Sequence, residues 1–336
     1  MRTISWSETG GGSIHLLDQT KLPLSVEELV ITRPAELVTA IQRLCIRGAP
    51  ALGVAGALGV ALILKNSERE GWSTALIERE IFALRNARPT AVNLAWGVSE
   101  VEPLISKGSN EVLQRALEIA ATDAVSCREM GRLGADFLVE ILGNRKLRIL
   151  THCNTGALAT TEWGTALGVV KELHSRGLIE EVLADETRPL LQGSRLTAWE
   201  LQQAGIPYRI LPDGAAASAL FSGLIDAVLI GADRIARNGD SANKIGSLGV
   251  AVSANQVGVP FLVIAPESTV DRSIATGNEI EIEFRGDDEV TQIAGVQTAP
   301  FGSRTYNPAF DVTPARFIKA VVTDEKVYEV SSGVSL

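Results

Sequence analysis

Cys153 and Asp233 are the two side chains whose sequence surroundings best suit acid–base or thiol chemistry. Each follows a short apolar run typical of a buried strand, and each is close to a glycine that lets a ligand approach the backbone. A carboxyl in an apolar pocket has a raised pKa and can give or hold a proton near neutrality. A thiol beside a helix N-terminus can act as a base or stabilise negative charge. Spacing alone leaves two plainer interpretations open, a buried structural thiol at Cys153 and an exposed Asp233 paired with Arg234.

Two more carboxylates, Glu186 and Asp213, also follow apolar runs. Ligands of open α/β sheets bind outside the carboxyl ends of the strands. We therefore expect these carboxylates to meet Cys153 and Asp233 at one edge of a sheet, in a single candidate site.

Cationic or amide side chains stand beside turns or predicted helix starts at four places, which is how proteins hold a phosphate. The four places are Arg47-Gly48-Ala49, Arg88 before Pro89, Gln192-Gly193 before a capping Ser194, and Asn243-Lys244 at a helix start. Ordinary capping and surface charge would explain any one of them alone. Four in one chain favour the binding of one phosphorylated small molecule.

The sequence contains no G-x-x-x-x-G-K-[ST] motif for a nucleoside triphosphate and no G-x-G-x-x-G motif for a dinucleotide. Its three histidines lack metal-binding spacing and its cysteines are unpaired in sequence, so we expect no metal and no cofactor. Adjacent strand residues face opposite sides of a sheet, so His152 is not expected to be the base for Cys153. We expect it to pack or bond on the other face.

Two contrasting patterns predict the elements that position these side chains in an α/β protein. Residues 1–125 predict a mostly helical N-terminal domain with a small β element, a hairpin around Thr9–Gly12. Residues 126–336 predict a Rossmann-like, doubly wound parallel sheet, because apolar runs without alternating polarity alternate with helical stretches. The predicted strands are 3–8, 13–18, 147–152, 180–185, 207–211, 226–230, 260–265 and 321–323. The predicted helices are 34–45, 51–65, 73–85, 92–105, 109–124, 126–143, 157–176, 194–204, 214–224 and 242–257.

The composition is typical of a cytoplasmic protein that acts on small molecules. A net charge of −9 argues against broad binding to nucleic acid or membrane surfaces. Three widely spaced cysteines fit no disulfide framework, which favours a reducing compartment, and the N-terminus does not resemble a signal peptide. The longest apolar run, 49–64, is broken by Pro50 and glycines and is shorter than the roughly 20 residues that span a bilayer. We expect it to form a buried helix.

Motifs along nearly the whole chain resemble the methylthioribose-1-phosphate isomerases, in the wider family shared with regulatory subunits of the eukaryotic initiation factor 2B complex. These motifs are Leu17–Thr20, Arg47–Ala51, Arg88–Leu94, Leu150–Ala157, Glu186–Pro189, Gln192–Thr197, Gly231–Arg234, Asn243–Gly246 and Asn307–Pro314. Because they cover the chain in order, the resemblance is specific.

The resemblance implies an aldose–ketose isomerase of methionine salvage, which converts 5-methylthioribose 1-phosphate to 5-methylthioribulose 1-phosphate. It implies a smaller, largely helical N-terminal domain followed by a Rossmann-like domain, usually in a homodimer. It also implies that Cys153 is the catalytic thiol and Asp233 the acid. The phosphate and sugar contacts would come from Arg47, Gly48, Ala49, Arg88, Gln192, Asn243 and Lys244.

One local motif departs from the family, which usually carries two successive glutamates where this chain has Glu283-Phe284-Arg285. Two other functions stay open. A related isomerase acting on ribose 1,5-bisphosphate would need a second cationic site for the 5-phosphate. A non-enzymatic regulatory or nucleotide-sensing subunit need not keep both Cys153 and Asp233, whereas this chain has both.

Overall fold

The polypeptide folds into two units whose segments are not contiguous in the sequence. The computed structural model describes residues 2–89 and 92–336, so Thr90 and Ala91 of the Arg88–Leu94 motif lie outside the described residues. The first unit comprises Met1–Arg128 and Gly156–Gly164, and the second comprises Glu129–Thr155 and Thr165–Leu336. The domain boundary predicted after residue 125 falls inside a single long helix, Ser109–Leu142.

The first unit begins with a small antiparallel sheet. Strands β1 (Ile4–Ser7) and β2 (Ser13–Leu17) form the predicted hairpin, and Gly10, Gly11 and Gly12 supply positive φ angles in its turn. A third strand that the pattern did not predict, β3 (Glu28–Ile31), pairs with β2.

Helices make up most of the rest of this unit. Within the described residues they are α1 (Pro34–Gln42), α2 (Ala49–Glu70), α3 (Thr74–Arg85), α4 (Val92–Val101) and α5 (Ser109–Leu142), the last of which continues into the second unit. The predicted break between 109–124 and 126–143 is wrong. The sequence Asp123-Ala124-Val125-Ser126 contains no glycine or proline that would end a helix.

Helix α2 lies at the centre of the first unit's core. At 22 residues it is longer than the run 49–64, and on length and composition alone it could cross a membrane. However, 89% of its most apolar window is buried inside the protein, as in a core helix. Glycines on both helices allow α2 to pack closely against α4, since a Cβ on Gly97 of α4 would lie only 1.9 Å from the carbonyl oxygen of Gly53 of α2.

The second unit contains the remaining elements. Its strands are β4 (Leu147–Thr151), β5 (Ile179–Asp185), β6 (Tyr208–Leu211), β7 (Ala227–Ile230), β8 (Arg234–Ala236), β9 (Ser241–Lys244), β10 (Phe261–Ile264), β11 (Val270–Asp271), β12 (Gln292–Ile293), β13 (Val296–Gln297), β14 (Phe310–Thr313), β15 (Ala320–Val322) and β16 (Val327–Tyr328). Its further helices are α6 (Ala166–Ser175), α7 (Ala198–Gln203), α8 (Ala216–Phe221), α9 (Ser247–Gln256) and α10 (Asp288–Thr291).

A seven-stranded sheet in the order β16-β15-β10-β7-β4-β5-β6 forms the centre of this unit. All neighbouring strands in it are parallel except β16, which runs antiparallel to β15. This arrangement confirms the predicted α/β fold class. Strand β15, predicted as the last strand, is followed by β16.

A second sheet, in the order β11-β8-β9-β14, lies beyond the end of β7. It contains Ser241–Lys244, which the sequence placed in a helix over 242–257, and that helix begins only at Ser247. The prediction failed because β9 is fixed by pairing with the distant strand β14, a contact that the local pattern does not contain.

Candidate active site

Cys153 and Asp233 lie beyond the carboxyl ends of neighbouring strands in the second unit. Cys153 follows β4 and Asp233 follows β7, and these two strands pair in parallel. Gly231 permits close packing there, because a Cβ on it would lie 2.6 Å from Cγ2 of Thr155. The structure therefore places the thiol and the carboxylate at the same edge of the sheet.

Two buried threonines hold the backbone at Cys153 in an uncommon conformation. Its φ of +64° is left-handed, and the φ of Thr187 is also positive, at +65°. The N–H of Cys153 donates to Thr187 Oγ1 at 2.9 Å, and its carbonyl accepts from Thr197 Oγ1 at 2.6 Å. Backbone strain of this kind clusters at functional sites, where the surrounding contacts maintain it.

The segment after Cys153 is not the helix start that the sequence predicted. It contains only a short 3-10 turn, Ala157–Ala159, and α6 begins at Ala166. The segment is held by non-helical bonds, such as that from the N–H of Thr165 to the carbonyl of Thr155 at 2.8 Å. The prediction that a helix begins at Ala157, directly after this turn, is therefore wrong.

Asp233 lies at the start of the second sheet, half-buried, and its N–H donates to the carbonyl of Ala242 at 2.9 Å. Arg234, its predicted alternative partner, forms an ion pair with Asp271. The Ser273 hydroxyl and the Arg234 guanidinium hold the pKa of Asp271 down, at about 2. The ion pair of Arg234 is thus formed with Asp271, a carboxylate other than the one the sequence suggested.

Asn243 and Lys244 follow Ala242 on strand β9, which brings them beside Asp233. Their predicted position at a helix start is wrong, as the second sheet shows. Asn243 is buried and donates to Ser247 Oγ at 2.8 Å, and the Lys244 ammonium lies 4.6 Å from the ring centroid of Phe310. An amide and an ammonium group therefore lie on the strand next to the candidate acid.

Gln192 is buried above the end of β5. The N–H of Gly193 donates to the carbonyl of Glu186 at 3.2 Å, and a Cβ on Gly193 would lie 1.6 Å from the carbonyl oxygen of Asp185. The Oε1 of Gln192 accepts no hydrogen bond from the described residues. A buried amide oxygen in this state costs free energy, which a donor on a ligand would recover. Ser194 lies in a π-helical turn, not at the predicted cap.

The other predicted phosphate contacts lie in the first unit. Gly48 precedes α2 with a φ of +92°, and a Cβ on it would lie 2.5 Å from the carbonyl oxygen of Ala159. Gly48 caps a 22-residue helix that begins at Ala49, and the N–H groups and positive dipole at this helix start favour an anion. Arg47 directly precedes Gly48 in the sequence, and Arg88 follows α3. Both side chains are half-buried.

A buried histidine–carboxylate pair is the feature that sequence reasoning missed. His152 Nδ1 lies 2.9 Å from Asp185 Oδ2, and its Nε2 lies 2.8 Å from the carbonyl oxygen of Ile245. Sequence reasoning expected only that His152 would pack or bond on the other face. The available signal was that an aspartate ends the apolar run of β5, beside the strand that His152 follows.

Asp213 completes a cluster with His152 and Asp185, whose candidate ligand atoms lie within 4.8 Å of one another. The donor set does not fit a metal ion. Both carboxylate oxygens of Asp213 accept backbone N–H bonds, from Thr187 and Arg188, each at 2.7 Å. Both nitrogens of His152 are also engaged. Asp213, predicted as a site carboxylate, therefore anchors the loop after β5.

Comparison with known proteins places the chain in a family. Residues 45–329 match the description "Initiation factor 2 subunit family". The chain is 48% identical to a probable bifunctional methylthioribose-1-phosphate isomerase/methylthioribulose-1-phosphate dehydratase of Nocardia farcinica, over 97% of this chain but only 58% of that protein. It is 47% identical to a methylthioribose-1-phosphate isomerase of Thermosynechococcus vestitus (95% and 92% of the two chains). A 5-deoxyribose 1-phosphate isomerase of Moorella thermoacetica is 44% identical (96% and 93%).

Solved structures give the same fold under two names. The 5-methylthioribose 1-phosphate isomerase of Pyrococcus horikoshii superposes with a TM-score of 0.87 at 37% identity, covering 98% of this chain and 92% of that one. The translation initiation factor eIF-2B delta subunit of A. fulgidus superposes with a TM-score of 0.84 at 38% identity, covering 98% and 96%. The fold is therefore shared by proteins named for catalysis and for translation.

Proposed function

This chain belongs to the initiation factor 2 subunit family, and from that premise we propose that it is an enzyme of that family, an aldose–ketose isomerase. It converts 5-methylthioribose 1-phosphate to 5-methylthioribulose 1-phosphate, the isomerisation step of methionine salvage. The name of the Thermosynechococcus relative, 47% identical over most of both chains, supports this substrate. The dehydratase activity in the name of the longer Nocardia protein is not part of the proposal, since this chain spans 58% of it.

The observation that carries the proposal is the placement of Cys153 and Asp233 after the paired strands β4 and β7. A thiol on a backbone held at both its N–H and its carbonyl, and a half-buried carboxylate at the same sheet edge, are suited to moving protons in a small substrate. A protein acting only in regulation needs neither group.

The chemistry explains why an acid is required. A free aldose opens its ring by losing the proton of its anomeric hydroxyl, but here that oxygen carries phosphate. The ring must therefore open by protonation of the ring oxygen, which requires a general acid still protonated near neutral pH. We assign this role to Asp233. Hydrogen then moves from C2 to C1, and we assign to Cys153 the stabilisation of the transition state, with the role of base as its alternative.

The phosphate and sugar contacts are assigned to the groups described above. Gly48 and Ala49 offer N–H groups at the start of α2, and Arg47 and Arg88 offer charge-assisted hydrogen bonds. Within the second unit, the buried oxygen of Gln192 supports a role as acceptor for a sugar hydroxyl. Asn243 and Lys244 complete the set beside Asp233.

The decisive experiment compares substrates. Purified protein with a chelator and without nicotinamide is incubated with 5-methylthioribose 1-phosphate, 5-deoxyribose 1-phosphate or ribose 1,5-bisphosphate, and ketose formation is followed by NMR. We expect turnover of the first without added metal or cofactor. The Moorella relative makes 5-deoxyribose 1-phosphate the second candidate, because it also lacks a 5-phosphate. Turnover of ribose 1,5-bisphosphate alone, or of none, would refute the proposed function.

Variants test the two assigned residues. Asp233→Asn and Cys153→Ser should fold and bind substrate but lose at least about a hundredfold in kcat, the low end of general acid–base contributions. Asp226→Asn, at the opposite end of β7, and Cys45→Ser, a buried thiol of the first unit, are the matched controls. Near-normal kcat in either site variant would make that residue structural. In deuterated water, deuterium at C1 of the product would show proton transfer, as opposed to hydride transfer.

We further propose that the protein is a cytoplasmic homodimer that acts on a sugar phosphate and not on nucleic acid or membranes. The buried, unbridged state of Cys45, Cys127 and Cys153 supports a reducing compartment. The dimer rests on the family resemblance. Size-exclusion chromatography with light scattering tests it, and a monomeric mass at micromolar concentration would contradict it.

A further inference from the structure

His152 makes two hydrogen bonds that connect separate parts of the second unit. It is almost completely buried, at 1% exposure, immediately before Cys153. One ring nitrogen contacts Asp185 at the end of β5, and the other contacts the carbonyl of Ile245, just after β9. The ring packs closely on Gly246, where a Cβ would lie 2.8 Å from His152 Cε1.

The partners of His152 determine where its protons lie. A carbonyl oxygen only accepts, so Nε2 must carry a proton and donate it to Ile245. One further proton lies between Nδ1 and Asp185 Oδ2, whichever of the two holds it. Burial alone would lower the pKa of His152, but the Asp185 hydrogen bond and charge outweigh it and raise that pKa. Burial raises the pKa of Asp185, so the pair keeps its proton.

The carbonyl that His152 binds belongs to the segment carrying two proposed substrate contacts. Ile245 directly follows Asn243 and Lys244. The N–H of Ile245 is held by the carbonyl of Ala309 at 3.1 Å, while its carbonyl is held by His152 at 2.8 Å. The end of β9 is therefore fixed on two sides, from β14 and from the residue before Cys153.

We propose that His152 is a positioning residue, whose Nε2–H bond to Ile245 holds Asn243 and Lys244 where they bind the sugar phosphate. The inference rests on the proposed function for the identity of that ligand. It predicts that the bond governs substrate affinity, because breaking it leaves the end of β9 held from the β14 side alone, without removing a group that touches the substrate. The buried Asp185 and the half-buried Ile245 would each also lose a hydrogen bond, which makes the position costly to change.

The wild-type protein tests the hydrogen bond directly. With three histidines in the chain, ¹⁵N-histidine labelling gives three imidazole systems, and the spectrum of His152→Gln assigns the one at 152. We expect the Nε2 of His152 to carry a slowly exchanging proton at pH 7.5. An unprotonated Nε2 would mean that the bond to Ile245 does not form, and would overturn the proposal without any kinetic measurement.

Two substitutions separate positioning from general stability. Glutamine can place its amide near the imidazole Nε2 and donate to Ile245, whereas the amide of asparagine reaches only the position of Nδ1. We expect His152→Asn to raise both the KM and the calorimetric Kd for 5-methylthioribose 1-phosphate about tenfold, with kcat within about threefold of wild type. His152→Gln should recover most of that affinity. His174→Asn, on helix α6, is the matched control and should match wild type.

Other outcomes would overturn the inference. Equal affinity in wild type, His152→Asn and His152→Gln, with only lowered thermal stability, would show a purely structural role. A fall in kcat at unchanged KM in both variants and in Asp185→Asn would show that the pair transfers a proton. Calorimetry distinguishes the two proposals, because a wild-type protein that binds the sugar phosphate without turnover refutes the isomerase alone. Absence of binding refutes both.

Discussion

Replacing Gly48 with alanine tests whether the start of α2 must lie against the segment after Cys153. The added Cβ would lie 2.5 Å from the carbonyl oxygen of Ala159 and 2.7 Å from its Cβ, distances that real Cβ atoms do not show. The φ of +92° adds conformational strain, because this region is open to glycine but not to alanine. The substitution must therefore displace either the helix start or the turn Ala157–Ala159.

Gly71 supplies a matched control at the other end of the same helix. Its φ is also positive, at +69°, but nothing lies within 4 Å of the position of a Cβ. Gly71→Ala should cost only the left-handed conformation, about 1–2 kcal/mol. Gly48→Ala carries both strain and overlap, so we expect it to cost roughly 2–4 kcal/mol more than the control.

Calorimetric unfolding and steady-state kinetics measure the two consequences. At about 2–4 °C per kcal/mol for a domain of this size, Gly48→Ala should unfold several degrees below Gly71→Ala. Its KM for the sugar phosphate should rise about tenfold or more, because the N–H groups of Gly48 and Ala49 move, while Gly71→Ala keeps the wild-type KM. If the two variants have equal midpoints and equal KM values, the reasoning about this close approach is refuted.

Two further results are expected. Arg47→Ala and Arg88→Ala should each weaken substrate binding about tenfold or more, since charged hydrogen bonds contribute roughly 1.5–3 kcal/mol; unchanged calorimetric Kd values in both would place the phosphate elsewhere. Thr197→Val preserves the side-chain shape but removes the hydroxyl that donates to the carbonyl of Cys153. Loss of this hydrogen bond costs about 1–3 kcal/mol, so we expect kcat to fall about tenfold with KM unchanged. Thr39→Val, which removes an exposed hydroxyl on α1, should leave kcat unaltered, and equal effects of the two would contradict this.

The parallel sheet could be predicted from the sequence because its strands are buried on both faces and form continuous apolar runs. The ends of those runs then located Cys153 and Asp233 at one sheet edge. What failed was structure fixed by remote partners. The helix predicted from Ala157 begins nine residues later, and Asn243 lies on a strand because it pairs with residues near position 311.

The contacts around the thiol could not be predicted for the same reason. Nothing in the local sequence indicates that Thr187 and Thr197 bind the backbone of Cys153. Thr187 follows strand β5, and Thr197 directly precedes helix α7. The pairing of His152 with Asp185 depends on the register of β4 and β5, which the pattern of apolar residues does not specify.

Residues 156–164 affect the order in which the two units can fold during synthesis and where the chain can be truncated. The amide and hydroxyl of Thr161 bind Asp123 Oδ2 at 2.7 and 2.6 Å, and the side chain of Gln19 donates to the carbonyl of Leu158 at 2.7 Å. These contacts belong to the first unit, yet they are contributed by a segment that follows strand β4. A ribosome must therefore translate into the second unit before the first can complete its packing. A fragment ending at residue 128 would lack these bonds, so an N-terminal half expressed alone should fold poorly and be degraded.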